Sequence, residues 1–150
     1  MTIYIDGDSC PQQVRSIVYR ACKRRGLSCV QVANRPNPGP PFVSMVVVDK
    51  APGAADRHIV DRAVSSDLVI TRDIPLAEEL LAAGVTVIND RGDEFEVDTI
   101  RERLSLRDTM EEFRLHGILG ASDKRFGPKE TKAFADCFDR VLRRLSDRNE

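Results

Sequence analysis

Several features are absent from this 150-residue sequence, and each absence excludes a class of protein. The charges nearly cancel, with 23 Lys and Arg against 24 Asp and Glu, which excludes a globally basic nucleic-acid binder of the histone kind. No segment approaches the roughly 20 apolar residues that span a bilayer, so we expect no membrane association. The first residues run directly into a strand pattern without an apolar signal core, and we therefore expect a cytoplasmic location.

Sequence motifs for common ligands are missing as well. The four cysteines form no Cys-x-x-Cys pair and have no histidine nearby, which argues against a zinc site and favours free thiols in a reducing compartment. Cys10 in particular is interpreted as a structural thiol. Neither a glycine-rich phosphate loop nor a dinucleotide-binding fingerprint is present.

The sequence does contain a regular alternation of apolar strand patterns and amphipathic helix patterns. The predicted strands are apolar throughout, as buried parallel strands are, and they span Thr2–Ile5, Leu27–Ala33, Phe42–Val48, Leu68–Thr71 and Val85–Ile88. Between them, apolar residues at helical spacing predict helices over Pro11–Arg25, Ala54–Ser65 and Pro75–Ala83. This alternation predicts a layered α/β fold with a mainly parallel sheet.

The remainder of the sequence is predicted to be helical. Thr99-x-x-Glu102 and Ser105-x-x-Asp108 both have the pattern of a capping box, which predicts two successive helices. A further helix is predicted over Pro128–Leu145, where apolar residues share one side. The length is that of one domain, and we expect a single domain over residues 1–150, with an α/β core at 1–98 and a helical part at 99–150.

Carboxylates and amides follow most of the predicted strands. In a parallel sheet ligands bind at the carboxyl ends of the strands, so side chains from distant parts of the sequence are expected to meet there. Such acids repel one another unless a cation neutralises them, and Mg²⁺ and Mn²⁺ prefer oxygen ligands. Thr71 is placed to orient a carboxylate or a water. The residues concerned are Asp6, Asp8, Asn34, Asp56, Asp73, Asn89 and Asp90.

Two other interpretations of these acids stay open. Short Asp side chains also cap helices and turns, which requires no metal. Asp6-Gly7-Asp8 at a strand end is also the pattern of the nucleophile motif of haloacid-dehalogenase-type phosphatases. Those enzymes need a lysine as well, and none of the five lysines of this sequence is expected near the strand ends.

Several segments resemble the YaiI/YqxD family of bacterial proteins, which is placed among the PIN-like domains. The resemblance covers essentially the whole chain, and its most specific part is a run of eleven consecutive residues, Asp67–Ala77. The other matching segments are Asp6–Pro11, Ala33-Asn34, Ile100–Leu104, Phe126-Gly127 and Lys132–Ala135. Many PIN-like domains are metal-dependent ribonucleases. The resemblance therefore implies a three-layer α/β/α PIN-like fold and a nuclease site.

In that site, the matching positions are an acid after the first strand, an acid that opens a central helix and a Thr-x-Asp element. The resemblance thus implies that Asp6, Asp56 and Asp73 hold Mg²⁺ or Mn²⁺, with Asp8 as a helper or general base. Arg72 and Arg91 are expected to neutralise phosphate oxygens, and Asn34 and Thr71 to border the bound substrate. Where the family commonly has a proline, Asp90 is either a fourth carboxylate or a turn residue.

The sequence therefore predicts a metal-dependent phosphodiesterase that acts on RNA. The alternatives are a non-catalytic binder of nucleic acid or nucleotide, and a phosphatase with Asp6 as nucleophile. Arg107 and Arg114 of the helical part are further expected to bring positive charge towards the acidic edge.

Overall fold

The structure, a computed structural model, describes residues 1–115 and 126–148, and for residues 107–115 it describes the backbone alone. The side chains of Arg107 and Arg114, and with them the expected basic contacts to the acidic edge, lie outside the described residues.

The core of the fold is one parallel sheet. Its strands are β1 (Thr2–Asp6), β2 (Ser28–Ala33), β3 (Val43–Val47), β4 (Leu68–Ile70) and β5 (Thr86–Ile88), in the spatial order β3-β2-β1-β4-β5. All four neighbouring pairs are parallel. The strand order reverses between β1 and β4. The chain adds β2 and β3 on one side of β1, and then adds β4 and β5 on the other side of β1. The predicted strands and their parallel arrangement are confirmed.

Helices cover both faces of the sheet. On one face, α1 (Gln12–Arg25) and α5 (Pro128–Arg148) pack against the side chains of Ile3, Ile5 and Ile70. On the other face lie α2 (Ala54–Arg62), α3 (Ile74–Ala82) and α4 (Val97–Leu115), which enclose a second core around Val32, Val69 and Val87. The fold is therefore a three-layer α/β/α arrangement, as predicted. None of the helices in the described ranges has the length and apolar character needed to cross a membrane.

The prediction of two helices after residue 98 is wrong, because α4 is continuous from Val97 to Leu115. The backbone N–H of Ile100 already donates to the Glu96 carbonyl, at 3.0 Å, so the helix has begun before Thr99. Thr99 and Ser105 therefore lie inside a helix, where a capping pattern in the sequence has no helix end to cap.

The second predicted helix ends three residues earlier than expected, at Arg62 instead of Ser65. Asp67 explains the difference, because its buried carboxylate accepts hydrogen bonds from the N–H of Val64 (3.0 Å) and of Thr2 (2.8 Å). The first of these bonds stabilises a turn in place of a further helical turn. The second fastens that turn to the first strand.

Candidate functional site

The candidate site is a cavity of about 470 Å³ at the carboxyl ends of the strands. It lies where the strand order reverses between β1 and β4, which is the usual ligand position in open parallel sheets. The loops after β1, β2, β3 and β4 all contribute to its lining. Its carboxylates are Asp6, Asp8, Asp49, Asp56 and Asp73.

Asp6 is the last residue of β1 and is only 6% exposed. Its Oδ2 accepts a hydrogen bond of 2.8 Å from the hydroxyl of Thr71, which directly follows β4. Burial raises the pKa of Asp6; the hydrogen bonds from Thr71 and Ser9 oppose that rise, and the negative charges of Asp8 and Asp73 add to it. The carboxylate is thus held in a fixed position among like charges.

Thr71 is itself completely buried, at 0% exposure. Besides donating to Asp6, its hydroxyl oxygen accepts the backbone N–H of Asp73 at 3.0 Å. Thr71 was expected to border the substrate, and its burial makes it instead a positioning residue that joins two carboxylates of the site. Its hydrogen bond to Asp6 agrees with the expectation that Thr71 orients a carboxylate.

Asp73 lies at the other end of this Thr-x-Asp element and caps helix α3. Its Oδ1 accepts the N–H of Leu76 at 3.0 Å, and Pro75 follows in the first helical turn, where its missing N–H costs nothing. The capping interpretation therefore holds for Asp73, and the same carboxylate also lines the cavity.

Asp56 belongs to the first turn of α2, whose N-cap residue, Gly53, provides no side-chain hydrogen bond to the helix. Burial, together with the negative charges of Asp73 and Asp6 and a hydrogen bond to Asp73, raises the pKa of Asp56 to about 6. The first strand, the helix α2 and the segment before α3 thus bring three carboxylates into one cavity, where they repel one another.

This donor set fits a hard divalent cation that keeps part of its water shell. Carboxylate oxygens are the ligands that Mg²⁺ and Mn²⁺ prefer, and a cation would relieve the repulsion among the acids. Among the residues that the structure describes, no three acidic, histidine or cysteine side chains are close enough to ligate one ion together. Mg²⁺ is commonly held by one or two carboxylates, with waters and substrate phosphates completing its shell.

Asp8 and Asn34 connect two loops at the mouth of the cavity. The exposed carboxylate of Asp8 accepts the backbone N–H of Asn34 at 3.0 Å, which fastens the loop after β1 to the loop after β2. Both residues line the cavity. A carboxylate that is exposed at this position is accessible to a water or a substrate.

Arg72 and Asp90 form an ion pair at the side of the cavity. The Arg72 guanidinium donates to Asp90 through Nη2 at 2.6 Å and through Nε at 3.4 Å, and Asp90 is only 1% exposed. Asp90 lies in the turn after β5, which is one of the two roles suggested by the sequence, and its buried carboxylate is in addition the partner of an arginine. The Arg72 side chain remains 54% exposed and lines the cavity.

Arg91 lies outside the cavity lining. Its guanidinium carbon stands 5.8 Å from the centre of the Phe126 ring, a cation–π contact that joins the loop after β5 to the segment before α5. Arg91 thus packs on an aromatic ring, and its expected contact with phosphate stays a prediction.

Asp49 and Lys50 follow β3 and line the cavity, and neither is among the site residues predicted from the sequence. The sequence contains a signal for them, because residues that follow the third strand are expected at the same ligand-binding edge of the sheet as residues that follow the other strands. The expectation that no lysine lies near the strand ends is therefore wrong.

Cys10 is a structural thiol in this arrangement. It is buried, its Sγ donates to the Ile70 carbonyl at 3.7 Å, and burial raises its pKa far above the ordinary value for a cysteine. A thiol that stays protonated is a poor nucleophile.

Comparisons with known proteins place this chain next to bacterial sequences along almost its whole length. Residues 4–144 match a family described as "Uncharacterized BCR, YaiI/YqxD family". A UPF0178 protein of Trichlorobacter lovleyi is 42% identical over 149 residues, which cover 97% of this chain and 96% of the relative. A UPF0178 protein of Treponema pallidum is 44% identical over 155 residues, covering 100% and 88% respectively. No solved structure matches this chain.

Proposed function

Because this chain belongs to the YaiI/YqxD family, whose description names no activity, we propose from the site itself that it is a Mg²⁺- or Mn²⁺-dependent phosphodiesterase acting on RNA. The observation that carries the proposal is the convergence of Asp6, Asp56 and Asp73 on one cavity, with the pKa of Asp56 raised to about 6 by burial and by its acidic neighbours. Unrelieved repulsion of this kind is costly and is typical of sites that bind a cation.

Asp6, Asp56 and Asp73 would hold the metal ion, one or two of them directly and the rest through waters of its shell. When bound, the ion supplies a water of lowered pKa and stabilises the negative charge that develops on the phosphoryl group. Thr71 holds Asp6 and the Asp73 backbone in a fixed relation through its two hydrogen bonds, so the ligands are positioned before the ion arrives.

Other side chains at the cavity serve the substrate. Asp8, which is exposed at the mouth, accepts the proton of the attacking water. Arg72, fixed by Asp90, adds positive charge at the side of the cavity and so lowers the repulsion that a phosphate meets there. RNA as the substrate follows the resemblance to PIN-like nucleases.

The presence of Lys50 in the cavity supports a second candidate function, a phosphatase with Asp6 as the nucleophile. Such an enzyme needs a carboxylate, a lysine and further acids in one site, and the cavity offers all three. Against it, Asp6 is 6% exposed and one of its oxygens accepts the Thr71 hydroxyl, which hinders attack on phosphorus.

The test compares the wild-type protein with Asp6→Asn and Asp73→Asn, purified in parallel so that a contaminating nuclease is detected. Asparagine keeps the cap of α3 and the acceptor for Thr71, so both variants are expected to melt like the wild type or slightly above it without metal. Calorimetry with Mn²⁺ should show binding to the wild type and much weaker binding to both variants.

Mixed single-stranded RNA and DNA are then incubated with each protein, with and without Mn²⁺. We expect Mn²⁺-dependent cleavage of RNA that falls at least about 100-fold in both variants. Mn²⁺ binding without cleavage would favour the non-catalytic binder. Hydrolysis of p-nitrophenyl phosphate with a covalent intermediate on Asp6 would favour the phosphatase, and failure to bind Mn²⁺ would refute the metal site.

A further inference from the structure

The charges around the cavity are strongly unbalanced. Five carboxylates line it, against two cations, Lys50 and Arg72. A polyanionic substrate therefore meets a repulsive surface, and a single divalent ion would compensate only part of that charge. Any cation with no partner in the protein is then important for binding.

Arg72 does not meet this condition. Both Nε and Nη2 of its guanidinium donate to Asp90, whose carboxylate is 1% exposed. Because removing a partner from a buried carboxylate is costly, Arg72 cannot leave Asp90 in order to follow a substrate. Its charge is largely committed within the protein.

Lys50 differs from Arg72 in its contacts. It is exposed in the loop between β3 and α2, and no carboxylate or other group among the described residues pairs with it. The last two residues of its loop are Pro52 and Gly53. Gly53 has a φ of 79° and directly precedes the first residue of α2. A flexible stem that carries a compact charge with three donors can reach a phosphate without breaking any existing contact.

The lining also indicates which part of a nucleic acid is recognised. None of the described residues around this cavity is aromatic, and single-stranded nucleic acids are usually bound by stacking their bases on aromatic rings. The groups that are present, a lysine and carboxylates suited to a metal ion, can recognise phosphate but offer no surface for stacking a base.

We propose that Lys50 is the residue that binds a backbone phosphate of the substrate, and that the site recognises the phosphate backbone and not the bases. This inference rests on the proposed function. A contact of this kind is made in the ground state and in the transition state alike, so it determines KM more than kcat.

The experiment measures Mn²⁺-dependent cleavage of oligouridylate and oligoadenylate by the wild type, Lys50→Ala and Lys50→Arg. Lys23→Ala is the matched control, because Lys23 is an exposed lysine in the last turn of α1 and does not line the cavity. Lys50→Ala should raise KM about tenfold, the usual effect of losing one ionic hydrogen bond. Its kcat should stay within about twofold of the wild type.

Three further readouts make the test specific. The slope of log kcat/KM against log salt should become shallower by about 0.7 in Lys50→Ala, as expected for one lost phosphate contact on a single strand. Lys50→Arg should restore most of the loss. The KM increase should be the same factor for both homopolymers, and Mn²⁺ affinity and melting temperature should not decrease.

Each contrary result has a distinct meaning. If the wild type binds Mn²⁺ and cleaves RNA but Lys50→Ala behaves like Lys23→Ala, the role of Lys50 is refuted and the proposed function stands. A KM increase for one homopolymer alone would refute recognition of the backbone. If the wild type neither binds Mn²⁺ nor cleaves, the proposed function fails and this inference fails with it.

Discussion

At the scale of single residues, the acids of the cavity carry more charge than their structural contacts require. Asp73 accepts the N–H of Leu76, and an asparagine caps a helix about equally well. Asp6 accepts the Thr71 hydroxyl, which an amide oxygen also does. Within the described part of the chain, no ion pair neutralises either carboxylate. The fold thus does not require these negative charges, and the proposed cation would account for them.

The same argument predicts how stability depends on pH when no metal is bound. Asp56 has a pKa of about 6 in the folded protein against an ordinary value of 3.8, so the folded state binds its proton more tightly than the unfolded state. Its repulsion is relieved as the pH falls through that range and is fully present above it. The free energy of unfolding should therefore increase as the pH falls from about 7 to about 5.

Urea unfolding at a series of pH values in EDTA measures this dependence, with Asp56→Asn as the comparison. The variant should be more stable than the wild type at neutral pH and should show a flatter profile. Some slope should remain, because the pKa of Asp6 is raised as well, by burial and by Asp8 and Asp73. Identical profiles for the two proteins would show that Asp56 does not experience the repulsion.

At the scale of secondary-structure elements, the sequence predicts what is determined by local pattern. The five strands are buried apolar runs, and such runs are recognisable without knowledge of their neighbours. The end of α2 was misplaced because it depends on Asp67, whose partners include Thr2, 65 residues away. The ion pair of Arg72 with Asp90 was missed for the same reason, since it joins the ends of two different strands.

The loop after β5 shows how one element is fastened to another. Gly92 has a φ of 90°, and a Cβ added there would lie 2.4 Å from the Ala133 carbonyl oxygen of α5. Nearby, Arg144 of α5 donates to both carboxylate oxygens of Glu94, at 2.9 and 2.6 Å. The loop and the helix thus approach so closely that only glycine fits.

Gly92→Ala is therefore expected to destabilise the protein by about 3 kcal/mol or more, from the sum of backbone strain and the clash with α5. Gly26→Ala is the matched control, because Gly26 has a φ of 66° and no atom within 4 Å of an added Cβ. That control should cost only about 1 kcal/mol, the strain of a left-handed backbone alone. Equal losses in urea unfolding would mean that α5 moves aside freely.

At the scale of the whole molecule, the C-terminal helix is part of the core and not an addition to it. Phe134, Phe138, Val141, Leu142 and Leu145 are each at most 2% exposed, and they pack with α1 on the same face of the sheet. The expected division into an α/β core at 1–98 and a helical part at 99–150 follows the sequence pattern, but the hydrophobic core extends across that boundary. The single domain stays a prediction that a truncation can test.

A chain that ends at residue 127 removes α5 and exposes the apolar surface that it covers. Burying five large apolar side chains contributes about 8–15 kcal/mol, which is comparable to the entire stability of a typical domain. We therefore expect the truncated chain to lack a cooperative transition in calorimetry, whereas a chain shortened only by residues 149 and 150 should melt in one transition. A cooperative transition in the shorter chain would show that the sheet with α1–α4 folds by itself. The site would then need only the sheet, its loops and α1–α4, since none of the described lining residues comes from α5.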